Sequence, residues 1–541
     1  MGPCGEARSS LTTDQSRRIM TEPTRRALLT GIAALSVAGT PSMAQEGRAP
    51  KPFDFEEVER RAEELVKVAY DARVPPLPAP IAKLDYDAWR DIRFKPDKAF
   101  LGGENSPFRL QLFHVGFLYN RPVTVNLVRR GIATPIAYQS SLFDMGRTKL
   151  DKPLPVDLGF AGLRFHSYLN KPNLLDELIV FLGASYYRFL GRDQLYGLSA
   201  RGLALNVEGE GAPEEFPVFR EFWVTMPETN ADALLVHALM DSPSVTGAFA
   251  FTVKPGDETT VAVRSTLFPR VALPSVGVAP LTSMFFIGEN DRHHSDDYRP
   301  ELHDSDGLQI AAGSGEWLWR PLDNPKARRI SSFVDRDPKG FGLMQRDRAF
   351  ESYQDLEASY GRRPSYFVEP EGGWGEGAVT LMELPTDTEV NDNIVAFWRP
   401  KQPYPAGEPV RMSYRVRARS SDTRLHPGGY VANTFLAATS ASGAAKGEEA
   451  KGTLSRRFLI DFAGGELPYY LPDPSKVEVV ADASRGRITA TSLTPNPHIG
   501  GLRAAIDITL DAADQSTDLR AFLRAGGRAL SETWVYPWTA A

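Results

Sequence analysis

Hydrophobic positions along the chain follow two different periods. From Phe53 to Asp71 they recur at helical spacing, with Phe55, Val58, Ala62, Leu65, Val66 and Ala69 on one face and charges on the other. This predicts one long helix near the N-terminus. From Phe100 onward the pattern shortens to period-two alternation and β-branched runs, as at 108–114 and 123–128, broken by Gly, Pro, Asn and Asp. The same texture returns at 410–418, 456–462, 477–481, 488–491 and 504–510 and in the closing 532–538 stretch, so strands dominate. The 45 Gly and 42 Pro suit an all-β chain with many turns, whereas a doubly wound sheet would need helices at regular intervals.

Four prolines in the ten residues 400–409 cannot continue a central strand or helix. Residues 401–408 therefore read as a linker between a large domain at 45–400 and a smaller sandwich of immunoglobulin-like type at 409–541. Within the latter, the Ala/Gly/Ser-rich stretch 437–452 has too little apolar surface to anchor itself and is expected to be a mobile loop.

The first 44 residues carry Thr24-Arg25-Arg26, an apolar run at 27–38 and the small-residue site Ser42-Met43-Ala44 before Gln45. This is the pattern of a twin-arginine (Tat) export signal and predicts a periplasmic protein with no membrane anchor. Met1 and Met20 are both candidate starts, and the only cysteine, Cys4, precedes the second. Without residues 1–44 the chain holds 57 Lys and Arg against 65 Asp and Glu, a net charge of −8 with no thiol. No later run reaches the roughly 18 apolar residues that span a bilayer. The acidic balance and the lack of a basic stripe exclude a nucleic-acid partner.

Chemistry is concentrated between Tyr298 and Pro321. Four carboxylates, one His, two Arg and two Trp fall within these 24 residues, among them Glu301, His303, Asp304, Asp306, Trp317, Trp319 and Arg320. That inventory grips a polyhydroxylated ligand by stacking, charged hydrogen bonds and acid–base groups. A charged hairpin on a solvated edge is the plain alternative. Asn391-Asp392-Asn393 precedes an apolar run, so amide donors could hold the Asp392 carboxyl while partial burial raises its pKa; a simple turn is the alternative. Asp304 and Asp306, two apart, share a face in an extended segment, with His303 and Ser305 pointing the other way. No metal or cofactor is expected. The spacing of His293-His294-Ser295-Asp296-Asp297 matches no ligand motif, and Gly372–Gly377 lacks the Lys-Ser/Thr of a phosphate loop, which leaves Trp374 as an aromatic platform. Gly313-Ser314-Gly315 lacks the full nucleophile-elbow pattern.

Five motifs carry a resemblance: FAGLRFH at 160–166, GASYYR at 183–188, YGLSARGL at 196–203, the 301–321 stretch and NDNIVAFW at 391–398. In this order they resemble the periplasmic glucan biosynthesis proteins of the OpgG/OpgD (MdoG/MdoD) type, with the Tat-like signal closer to the D type. The resemblance implies a mainly β protein, with a large N-terminal β-sandwich of galactose-mutarotase-like shape and an immunoglobulin-like second domain. It also implies β-1,2-glucan chains as partner and an inverting β-1,2-glucanase, with a transglycosylase or a non-catalytic glucan-binding scaffold as alternatives; a homodimer is allowed. Inverting hydrolysis needs an acid for the leaving oxygen and a base for water on the opposite face. The resemblance implies Asp392 as acid and favours Asp304 over Asp306 as base, with a proton relay through water or a substrate hydroxyl. Substrate contacts are expected from Arg188, Tyr196, Arg201, Tyr298, Glu301, His303, Asp306, Trp317, Trp319, Arg320, Tyr353, Trp374 and Asn393.

Overall fold

The computed structural model describes residues 52–541 apart from 103–105, 151, 210, 293–295, 421–424, 440–453 and 541. The export segment, the His293-His294 pair and nearly all of the expected mobile loop lie outside the described residues.

The helical period produces a helix over Phe55–Val66, capped by Asp54, whose side chain accepts from Glu57 N at 3.1 Å. Phe55, Val58 and Ala62 are buried against Trp223, Leu239, Ala248 and Phe268 of a sheet, as the apolar stripe requires. The helix stops short of the expected Asp71. There the Asp71 carboxylate accepts from Arg73 N at 3.0 Å, a local turn contact that competes with helical bonding just before Pro75 and Pro76. His237 sits beneath the helix start with its ring 5.7 Å from that of Phe53 and 5.8 Å from that of Phe55. Burial, reinforced by the Arg264 charge, pushes this imidazole down to about 4. The folded state thus refuses a proton that the unfolded chain accepts below about 6.5. Stability is fully present above that pH and falls as pH drops toward 4, by up to about 3 kcal/mol. Urea titrations of wild type and His237→Gln should diverge between pH 6.5 and 4, with the variant losing less; parallel losses would reject this role.

The chain is mainly β, built of stacked sheets. One ten-stranded sheet runs through strands Phe108–Phe113, Gly162–Lys171, Leu174–Leu182, Tyr186–Phe189, Ser199–Arg201, Val276–Ser283, Ile394–Pro400, Glu376–Glu383 and Arg329–Arg336, with Ala204–Leu205 paired at the side. A fifteen-stranded sheet packs over it. The core between them is aromatic: Phe181 and Tyr187 of the first sheet meet Phe251 of the second at 5.1 and 5.3 Å, and Phe189 stacks on Tyr366 at 4.4 Å. Alternation in each strand sends these side chains inward.

The proline-rich stretch has a different meaning from the one expected. The strand after it, Val410–Arg419, pairs with Thr260–Pro269 on one side and Ser365–Glu371 on the other, and its Tyr414, Val416 and Ala418 are buried in the main core. The prolines follow a strand of one sheet and carry the chain across to the other, so Val410–Arg419, expected in the second domain, pairs within the large sheet. The remaining chain forms a four-stranded sheet, Tyr430–Ala437, Ser455–Ala463, Gly501–Thr509 and Arg487–Asn496. It faces Glu478–Ala483, Ser516–Ala525 and Thr533–Thr539 across a core of Phe458, Ile460, Ile506, Leu519 and Trp534. These last strands continue the large sheet, because Trp317–Pro321 runs parallel to Thr533–Thr539.

Candidate active site

Backbone pairing brings the two candidate carboxyls together from distant parts of the sequence. Ser283 lies opposite Ile394 at the end of a strand pair. Just beyond it, Asp304 N donates to Met284 O at 2.8 Å, and the Ser283 and Ser305 hydroxyls meet at 2.8 Å. On the other side, the Asn393 amide clamps Phe285, accepting from its N–H and donating to its carbonyl, both at 2.9 Å. Residues 283–285 are therefore flanked by Asp304 on one side and by Asp392, adjacent to the Asn393 clamp, on the other.

The electrostatics show the same neighbourhood. Burial pushes Asp304 up to about 6; Asp392 adds to the rise, and Arg363, His303 and Arg188 oppose it. Arg363 forms an ion pair with Asp304 at 3.3 Å and lies 4.8 Å from the centre of the Tyr360 ring. The Asp304 oxygen in that pair, Oδ1, is buried and makes no hydrogen bond beyond it. Asp392 is raised as well, by desolvation against the pull of Arg188 and Arg201. Asp392 is exposed to solvent, so a ligand can reach its carboxyl. Arg188 makes no ion pair among the described residues. Arg201 reaches Thr282 Oγ1 at 3.0 Å and Glu214 at 2.6 Å, and lies 4.8 Å from the Tyr186 ring centre and 5.4 Å from that of Phe216. Arginines beside tyrosines and a half-exposed phenylalanine offer stacking faces and charged donors to a sugar. A cavity of about 490 Å³, lined by Tyr298, Arg299, Asp355, Leu356, Tyr360 and Glu389, adjoins this region through Tyr360.

Several expected ligand contacts are engaged elsewhere. Asn393 spends its whole amide on backbone, with a third bond to Leu384 O at 3.0 Å. Trp319 is buried beneath Arg346, whose guanidinium stands 3.4 Å from the ring, and any Cβ at Gly307 would come within 2.2 Å of the indole. Trp317 stacks on Phe367 at 6.3 Å, so the alternating tryptophans point into the junction with the C-terminal sandwich. Arg320 is buried in an ion pair with Glu383 at 2.7 Å. Trp374 is buried against Trp398 and Tyr414, beside the end of the strand pair where Gly377 meets Pro400. Asp392 precedes the other end, roughly 20 Å away at strand rise. Trp374→Ala should therefore cost about 3 kcal/mol of stability, measured by denaturant unfolding; a loss under about 1 kcal/mol would take Trp374 out of the core and restore the platform role. The Tyr196 hydroxyl is buried beside Glu177, and the Tyr196 carbonyl accepts from Arg363. Glu301, His303, Asp306 and Tyr353 gather in a cluster behind Asp304. Tyr298 and Arg188 remain open to a ligand. Arg363, Tyr360 and Tyr186 are not among the expected contacts; Tyr186 falls within the GASYYR motif, whereas Arg363 and Tyr360 lie in a stretch of no special pattern.

Fold and site together define a β-sandwich protein with two raised carboxyl groups set among arginines and tyrosines. The chain belongs to the family described as periplasmic glucan biosynthesis protein, MdoG, whose model matches residues 53–538. It is 44% identical over 519 residues to a glucans biosynthesis protein G of Rhodopseudomonas palustris (strain BisA53), covering 95% of this chain and 99% of that one. It is 46% identical over 494 residues to the protein of the same name from Shewanella frigidimarina (strain NCIMB 400), covering 90% and 85%. These relatives bear the G name; the D-type likeness rested on the signal segment, outside the described residues. No helix among the described residues is long and apolar enough to cross a membrane.

Proposed function

We propose that this protein is a β-1,2-glucan-active enzyme of periplasmic glucan biosynthesis, an inverting β-1,2-glucanase exported by the Tat route. The observation that carries this reading is that Asp304, bonded to Met284 O, and Asp392, next to the Asn393 clamp on Phe285, flank the same segment 283–285, each with its pKa raised by burial. Asp392, exposed to solvent and with its pKa raised by desolvation, gives its proton to the glycosidic oxygen as the bond to the anomeric carbon breaks. Asp304 takes a proton from the attacking water, directly or through a hydroxyl or water relay, as that water bonds to the opposite face of the carbon. Arg188 and Arg201 oppose the rise at Asp392, and Arg363 opposes it at Asp304.

The test is incubation of the mature protein with linear β-1,2-glucan, followed by sizing of the products. New short oligosaccharides support hydrolysis. Rings point to transglycosylation, in which a sugar hydroxyl replaces water at the acceptor position. Unchanged polymer at high protein concentration leaves a glucan-binding scaffold.

A further inference from the structure

Behind Asp304 lies a second cluster that the proposed hydrolysis does not use. His303 is fully buried between the Phe285 ring, 5.4 Å away, and the Tyr353 ring at 5.3 Å. Its Nδ1 faces Gln345 Oε1 at 2.8 Å. The Gln345 amide cannot be turned round, because its Nε2 donates to His303 O at 2.8 Å and Tyr360 O at 3.3 Å. Nδ1 must therefore carry the hydrogen, and in the neutral ring Nε2 presents a bare lone pair. That lone pair faces Glu301 Oε2 at 3.1 Å. Asp347 in turn lies within hydrogen-bonding reach of Glu301, and donor atoms of Glu301, His303 and Asp347 all fall within 4.8 Å of one another.

With the ring neutral, three electron-rich groups converge; against burial, which lowers it, the contacts with Glu301 and the charge of Asp306 raise the His303 pKa, so a proton on Nε2 is what a cation would displace here. The Asp306 carboxylate adds to the negative charge. Asp306 is 8% exposed; one of its oxygens accepts from Arg346 N and Asp347 N at 2.6 and 3.0 Å, while the other is buried without a partner. The bond from Asp347 N sets Asp306 beside the cluster, and its charge adds to the rise in pKa of both His303 and Asp347. The nearest cations are committed: Arg346 to Glu532 at 2.6 Å, and Arg348 to backbone carbonyls and Ser365.

We propose that Glu301, His303 and Asp347, with the free oxygen of Asp306 beside them, form a binding site for one divalent transition-metal cation of the zinc or manganese class. One imidazole with two or three carboxylates is a donor set suited to such ions, whereas calcium and magnesium favour all-oxygen shells. Gln345 supplies the hydrogen bond to the far ring nitrogen that orients a ligating histidine. The ion would brace the backbone on which Asp304 stands. This site is independent of the hydrolytic reading.

The mature full chain, stripped with chelator and passed through gel filtration, should retain one Zn²⁺ or Mn²⁺ per chain by elemental analysis, with a raised unfolding midpoint; Ca²⁺ and Mg²⁺ should bind far more weakly. Gln345→Ala should weaken binding about 10–100-fold, and Asp347→Asn should abolish it. Because these substitutions reach into the protein interior, the wild-type protein gives a second reading: crystals soaked in MnCl₂ should show anomalous density between Glu301 and His303. Absence of a retained ion and of that density, or undiminished binding in folded Asp347→Asn, would overturn the site and leave a shared proton in its place.

Discussion

Asp392→Asn should leave a folded protein that still binds glucan but turns it over about 10²–10⁴-fold more slowly. The substitution keeps the shape of the side chain and removes its transferable proton, so the loss belongs to kcat with KM little changed. Nothing in the local fold depends on that proton: the clamp that holds this segment is made by Asn393 to Phe285 and Leu384, and it is untouched. Asn393→Ala should behave differently. It removes three hydrogen bonds to buried backbone, and its lost turnover should come with lost stability. Near-normal turnover in folded Asp392→Asn would take Asp392 out of the reaction and return the scaffold reading to first place.

The largest expected effect on stability lies at the junction with the C-terminal sandwich. Glu532 is buried, and its carboxylate accepts from Arg346 at 2.6 and 3.1 Å, from Gln309 Nε2 at 3.0 Å and from Val431 N at 2.8 Å. Arg346 is itself 4% exposed at its side chain and lies over the Trp319 ring. Glu532→Ala therefore strands a buried guanidinium and two further donors, a change that costs about 3–5 kcal/mol. Urea unfolding should show that loss, and Glu532→Gln, which keeps an acceptor oxygen, should lose less. A loss under about 1 kcal/mol would mean that water or another carboxylate replaces Glu532.

What the sequence made legible, and what it hid, divides along physical lines. Period-two alternation located strands such as Phe108–Phe113 and Val410–Arg419, because burial on alternating sides is imposed residue by residue. Alternation does not say which sheet a strand joins, and that is why four prolines between two sheets passed for a domain boundary. The same limit governs the site. Trp317 and Trp319 do share a face, but local spacing cannot tell a ligand cleft from a junction core. Asp304 and Asp392 came from resemblance, and their nearness depends on pairings at Ser283 and Phe285 that no local pattern encodes. Arg363 was out of reach for the same reason: its meaning comes from Asp304, 3.3 Å away in space and distant in sequence. The tautomer of His303, too, follows from Gln345, a residue with no signature of its own.

The central claim is that Asp392 and Asp304 act as acid and base on opposite faces of one anomeric carbon. The anomeric configuration of the first product tests it most directly. Linear β-1,2-glucan with the mature protein, followed by proton NMR within the first few turnovers, should show new reducing ends appearing in the α configuration and only later equilibrating by mutarotation. New ends that appear first in the β configuration, or no new ends at all from folded protein, would contradict the account.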